Sequence, residues 1–289
     1  MKLYNESPNL LLRVDKTEKL KQDYENGYIS FSCAANWIDY AIKTKNATIG
    51  DTREAVFAHV PYPVPKKYKD LLCDEKGKPK ITSVLETPIG NTSYCFLRYV
   101  PTILMPTACF YAIDYDSYYK ETHRPYQLLF GLYATIMHYS INECSFLVIK
   151  NARRFIEDLK QSVMIATTMS NNLSSVNFAE KINPNNCLLY NGINYDCYDY
   201  DNEFFDLRND SFALFCKDKS YKGQHEYRIV INNIRFAQLY PKENYNYIIN
   251  TLKVQLPHLK EYSELIIGGT TKGIEMLPFD DKRFFLHKI

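Results

Sequence analysis

Long apolar runs are missing from this chain: no stretch of its 289 residues approaches the ~18 consecutive apolar side chains that a membrane-crossing helix needs. The N-terminal MKLYNESPNLLLRV has no basic segment followed by an extended apolar one, so the expectation is a chain without a signal peptide. It is expected to act in the cytoplasm, with no membrane partner. Strong charge is missing too. The net charge is +2, whereas a dedicated nucleic-acid binder usually carries a heavier basic bias. The eight cysteines (Cys33, Cys73, Cys95, Cys109, Cys144, Cys187, Cys197, Cys216) include no Cys-x-x-Cys pair and no histidine at ligand spacing, which argues against a structural zinc site. Without an export signal they read as reduced thiols, mostly packed in the core. GGTTKG (residues 268–273) lacks the spacing of a phosphate-binding P-loop. YDCYDYDNEFFD (residues 195–206) clusters acids without the glycine that an EF-hand calcium loop requires, so no metal is expected.

What the chain does contain is ordinary for a globular protein, with 46% hydrophobic and 24% charged residues. Twenty-five tyrosines add aromatic faces with polar tips. LLLRV (residues 10–14) suits a buried strand, residues 16–26 suit a helix, and Gly27 suits its C-terminal cap. YISFSC alternates as a strand, and CAANWIDYAIKTKN has helical spacing. Residues 61–80, rich in Pro and Lys, read as an exposed loop. Strands are expected over 94–100, 107–113 and 145–150, and helices over 126–138 and 151–164, the last capped by Asn151. SFALFCK (211–217) and EYRIVI (226–231) read as two paired strands, and Pro241 opens a helix running to Leu256. SELIIGG and RFFLHKI close the chain as strands. This order gives an α+β fold, one domain over residues 1–289, with a helical insertion around 120–185.

Three places offer chemistry. In YKGQHEYRIVI (residues 221–231) Gln224, Glu226 and Arg228 fall on one strand face, with Tyr227, Ile229 and Ile231 on the other. By itself such alternation more often marks the wet face of a sheet than a site. Arg13 sits in a short apolar strand, where a guanidinium is costly unless it meets an anion. Tyr28, Ser30 and Ser32 share one face of the next strand.

Taken together, the strand arginine, the Ser-x-Ser strand and the Gln-x-Glu entering a late strand resemble the ADP-ribosyltransferase superfamily, in particular its Arg-Ser-Glu branch. The stretch FCKDKSYKGQHEYRIVI with ELIIGG beyond it resembles bacterial proteins with a Y-x-x-Q-x-E-[YF]-R pattern, which are similar to that branch and to toxins of defence systems. Here Ser30 follows Arg13 closely while Glu226 lies far downstream, an order nearer to the poly-ADP-ribosyl and DarT-like arrangements. The second motif position thus falls either to Ser30 and Ser32 or to Tyr28. The resemblance implies an ADP-ribosyltransferase-like split β-sheet core and NAD+ as co-substrate, without a metal. It makes Glu226 and Gln224 catalytic, and Arg13, Tyr28, Ser30 and Ser32 NAD+-binding. The implied acceptor is a macromolecule, an RNA or DNA base ahead of a protein side chain, and a toxin of this kind implies an antitoxin partner. Two other readings compete: a non-catalytic nucleic-acid or protein-binding module, and a hydrolase pairing Glu226 with Asp114 or Asp116.

Overall fold

A computed structural model describes residues 10–44, 53–61, 81–89, 92–113, 144–169, 176–178, 187–195, 210–217, 219–232, 234–236 and 251–267, with residues 8, 63 and 66. In chain order the elements are β1 (Leu10–Lys16), α1 (Thr17–Glu25), β2 (Tyr28–Phe31), α2 (Ala34–Thr44), β3 (Ala58–Pro61), β4 (Ile81–Ile89), β5 (Thr92–Tyr99) and α3 (Val100–Ile103). There follow β6 (Thr107–Ile113), β7 (Cys144–Ile149), α4 (Ala152–Met169), β8 (Val176–Phe178), β9 (Leu188–Gly192), β10 (Glu226–Ile231), β11 (Ile234–Phe236), β12 (Leu252–Gln255), α5 (Leu259–Tyr262) and β13 (Ser263–Ile267).

The main sheet has six strands in the order β13-β7-β1-β6-β10-β9, and every neighbouring pair is antiparallel. A three-stranded sheet β3-β5-β4 and the pairs β2–β12 and β8–β11 complete the described strands. The architecture is α+β with a mostly antiparallel core. Leu10, Leu11 and Leu12 of β1 are all buried, as expected of a strand covered on both faces.

α4 lies against this sheet through a helical stripe. Ala152, Phe155, Ile156, Leu159 and Val163 are buried at the expected spacing. The Phe155 ring meets Phe110 of β6 edge-on at 5.5 Å. Asn151 starts the helix, its Oδ1 accepting the Arg154 amide at 3.0 Å. At the other cap, Gly27 stands at φ +67 behind α1, and a Cβ there would meet the Leu256 carbonyl oxygen at 3.0 Å. Glycine therefore serves both the left-handed turn and the close passage of the chain.

Three expectations are corrected. Residues 210–215 form a 3-10 helical turn, not a strand paired with β10, whose partners are β6 and β9. The run from Ala213 to Cys216 is buried without alternation, and a short apolar run of that kind does not distinguish strand from helix. Residues 252–255 are β12 rather than the end of a helix. Leu252, Val254 and Leu256 turn inward between exposed Lys253 and Gln255, a period of two that a helical stripe obscured. The helical insertion expected around 120–185 does not stand apart from the core, because the strand expected within it, β7, lies between β1 and β13 in the main sheet. The expected helix over 126–138, most of the 61–80 loop, the glycine-rich turn at 268–273 and the last strand lie outside the described residues.

A candidate site in the wedge between two strands

The ladder between β1 and β6 spans only Leu10↔Ile113, Leu11↔Ala112 and Leu12↔Tyr111. Beyond it β1 continues along β7 as far as Lys16, while β6 at Thr107 bridges to Ser32 instead. Both diverging stretches line one cavity of about 570 Å³, which α2 flanks with Asn36, Trp37 and Tyr40. Arg13 stands on its β1 side, and Gln224, Glu226 and Arg228 close it from the β10 side. The volume falls within the roughly 300–1,000 Å³ of small-molecule pockets.

β10 is not a wet edge. It runs between β6 and β9, and all six of its residues are buried. Glu226 pairs with Tyr111 and Arg228 with Cys109, so these side chains share the cavity face. His225, at φ +45, turns the chain from a 3-10 segment (Lys219–Gln224) into the strand, and its carbonyl accepts the Ala112 amide at 2.9 Å. The Glu226 amide donates to Tyr195 Oη at 2.9 Å, and its carbonyl accepts from Ile193. The backbone that carries the carboxylate is thus fixed on both sides.

A buried chain of charges surrounds that carboxylate. Arg228 is 1% exposed, Glu54 2%, Lys217 5% and Glu226 8%. Arg228 Nε meets Glu226 Oε1 at 2.5 Å, and its Nη1 pairs with Glu54 and donates to the Leu214 carbonyl at 2.6 Å. The Trp37 ring lies 5.3 Å from the guanidinium carbon. Lys217 Nζ reaches Glu226 Oε2 at 3.0 Å and Gln224 Oε1 at 2.8 Å, over the face of Tyr221. Burial alone would raise the Glu226 carboxyl, but Arg228 and Lys217 outweigh it and hold the group well below the usual carboxylate range. The Cys109 thiol in the same wall is pushed up, chiefly by burial and then by the Glu226 charge.

Of the six residues expected to form the site, the structure brings Arg13, Ser32, Gln224 and Glu226 to this cavity. Tyr28 and Ser30 are not among its lining residues. The shared face expected for Tyr28, Ser30 and Ser32 breaks up because β2 pairs with β12 only as far as Phe31, and Ser32 then crosses to β6. Ser30 is buried against α1, donating its hydroxyl to Asp23, and its carbonyl accepts from Arg13 Nη1 at 2.7 Å. Lys253, opposite Ser30 on β12, sets its ammonium 2.8 Å from the other Asp23 oxygen, an ion pair without a directed hydrogen bond. The same ammonium lies 6.0 Å from the Tyr28 ring. Ser32 Oγ accepts from Asn36 Nδ2 at 2.9 Å.

Glu54 and Lys217 were not legible as site residues. Glu54 lies 174 positions from Arg228, and Lys217 reads locally as the polar end of an apolar run. Asp114, Asp116 and all of the acidic stretch beyond Tyr195 lie outside the described residues. Among the described residues no group of three or more His, Cys, Asp or Glu could hold a metal ion, and no helix is long and apolar enough to cross a membrane. In comparisons with protein-family models, curated proteins and solved structures, nothing matches the chain.

Proposed function

We propose that this chain is an NAD+-consuming ADP-ribosyltransferase with a core of that superfamily's type, acting as a bacterial toxin or defence effector. One observation supports the reading above the others. Arg13, Ser32, Gln224 and Glu226, drawn from opposite ends of the chain, line one ligand-sized cavity.

The chemistry follows from the residue types. The bond that breaks joins ribose C1′ to the nicotinamide nitrogen, and the one that forms joins C1′ to an acceptor nucleophile, which gives up its proton. As nicotinamide leaves, the ribose gains oxocarbenium character, as in glycoside hydrolysis. An ionised Glu226 at the 2′-hydroxyl stabilises that positive charge. Arg13 takes the dinucleotide phosphates, Ser32 adds a hydroxyl contact, and Gln224 orients the acceptor. The acceptor is a macromolecule, with an RNA or DNA base preferred over a protein side chain because aromatic faces suit a single strand.

The experiment is to incubate the purified chain with labelled NAD+ and, separately, with cellular RNA, DNA and protein. Label should pass to one class of macromolecule. If the wild-type chain neither consumes NAD+ nor labels anything, the reading is wrong.

One observation favours the competing reading, a non-catalytic binding module: both oxygens of Glu226 already face cations, and structural ion-pair networks shift carboxyl groups as catalytic ones do. A binding module would keep its affinity for its target after Glu226→Gln, with no NAD+ consumed at any stage.

A further inference from the structure

Buried charges are a weak way to stabilise a fold, since apolar residues of similar volume often do as well or better in their place. β10 is otherwise Tyr227, Ile229, Val230 and Ile231, all buried. A guanidinium at Arg228 and a carboxylate at Glu54 are therefore not explained by packing. Their geometry explains them. Arg228 is held through Nη1 by Glu54 and the Leu214 carbonyl, and the Trp37 ring lies against it. This leaves Nε aimed at Glu226 Oε1, so the fork bridges two carboxylates and only one of its targets is Glu226.

The segment that delivers Glu54 carries its own signature. Ala55 stands at φ +56, the left-handed region that alanine rarely adopts. The turn is closed by the Val56 amide donating to the Arg53 carbonyl at 3.2 Å, and the Glu54 carbonyl accepts from buried Arg98 Nε at 2.7 Å. Strained backbone persists where its surroundings over-determine it, and it gathers at working sites. Here the strain lies beside the residue that anchors Arg228.

We propose that Glu54 and Arg228 are positioning residues, a clamp that holds the Glu226 carboxylate in one orientation toward the cavity. The inference rests on the reading of Glu226 as the catalytic carboxylate. Neither Glu54 nor Arg228 needs to touch the substrate for this role. Glu54 fixes Arg228, and Arg228 fixes Glu226. A misplacement of about 1 Å at a reacting centre can lower a rate on the order of 100-fold.

The test uses the full chain with Glu54→Gln and Arg228→Lys. The first keeps an oxygen that can accept from Arg228, and the second keeps the positive charge without the fork, so both favour a folded protein. Melting curves establish the folded fraction, and nicotinamide release gives kcat and KM for NAD+. The expected result is a kcat lower by about 10–100-fold in each variant, with KM changed less than about threefold. A pair that only holds the fold together would lower melting temperature and leave kcat per folded molecule at the wild-type value, and that result overturns the inference. The carboxyl carbon of Glu226, followed by NMR through a pH titration, gives a readout that does not need turnover. In Arg228→Gln its midpoint should move up towards the ordinary range, and an unmoved midpoint also overturns the clamp. If the wild-type chain releases no nicotinamide at all, the proposed function fails and this inference fails with it. If only the variants behave as wild type, the clamp alone is wrong.

Discussion

Replacing Arg228 by Met should destabilise the fold in a way that depends on pH with a definite sign. The substitution removes the one cation paired with Glu54 among the described residues and one of the two on Glu226. Lys217 remains on Glu226, so the uncompensated charge is mainly that of Glu54, buried at 2% exposure. Breaking a buried pair by removing one partner costs about 3–5 kcal/mol. At roughly 2–4 °C per kcal/mol for a chain of this size, melting should fall by about 6–20 °C at neutral pH.

In the wild-type protein Glu226 titrates below its unfolded value of about 4.3, held down by Arg228 and Lys217 against its burial. Its contribution to stability is present above that value and is lost as pH falls through the lower, folded one. Without Arg228 the burial of Glu226 is opposed by Lys217 alone, so its folded value moves up and its contribution to stability shrinks. The wild-type protein has more of this contribution to lose as pH falls through the acid range, so the deficit should shrink from about pH 6 towards about pH 3. Thermal unfolding followed by circular dichroism at about pH 6 and about pH 3 measures both slopes. Adding Glu54→Gln to Arg228→Met should recover part of the loss at neutral pH. A deficit equal at both pH values, or a variant as stable as wild type near neutral pH, would refute the reasoning.

Two further outcomes test the core. Phe155→Ala removes a ring with no exposed surface that packs edge-on to Phe110 and 6.2 Å from Tyr262, and should cost about 3–5 kcal/mol by urea denaturation. Burial pushes the Cys33 thiol up to about 12, so in the folded protein it should resist alkylation at mildly alkaline pH and react only when urea unfolds the chain; alkylation of Cys33 in the native state as fast as a free thiol would contradict its placement.

The sequence was most readable where a segment's structure depends on its own residues. Asn151 before an apolar helical stripe, Gly27 behind a polar helix and the triple leucine of β1 each carry a local reason for their conformation, and each stands as expected. Reading failed where partners are remote. Arg228 looks the same in sequence whether water or Glu54 neutralises it, and nothing near either residue announces a partner 174 positions away. The same blindness let the alternation of Gln224, Glu226 and Arg228, taken by itself, weigh towards a wet face, although Glu226 and Arg228 are buried against Lys217 and Glu54. Ser30 and Ser32 alternate correctly, yet β2 changes partner between them, so one meets Asp23 and the other the cavity. Periodicity gives a residue's face but does not say which strand faces it.

Nicotinamide release from NAD+ by wild type, Glu226→Gln and Glu226→Ala, in preparations matched for melting behaviour, tests the central claim most directly. The wild-type chain should release nicotinamide measurably, and release should fall about 10²–10³-fold on loss of the carboxylate, the scale of removing one electrostatic stabiliser of a transition state. Equal release by folded wild type and folded Glu226→Gln would contradict it.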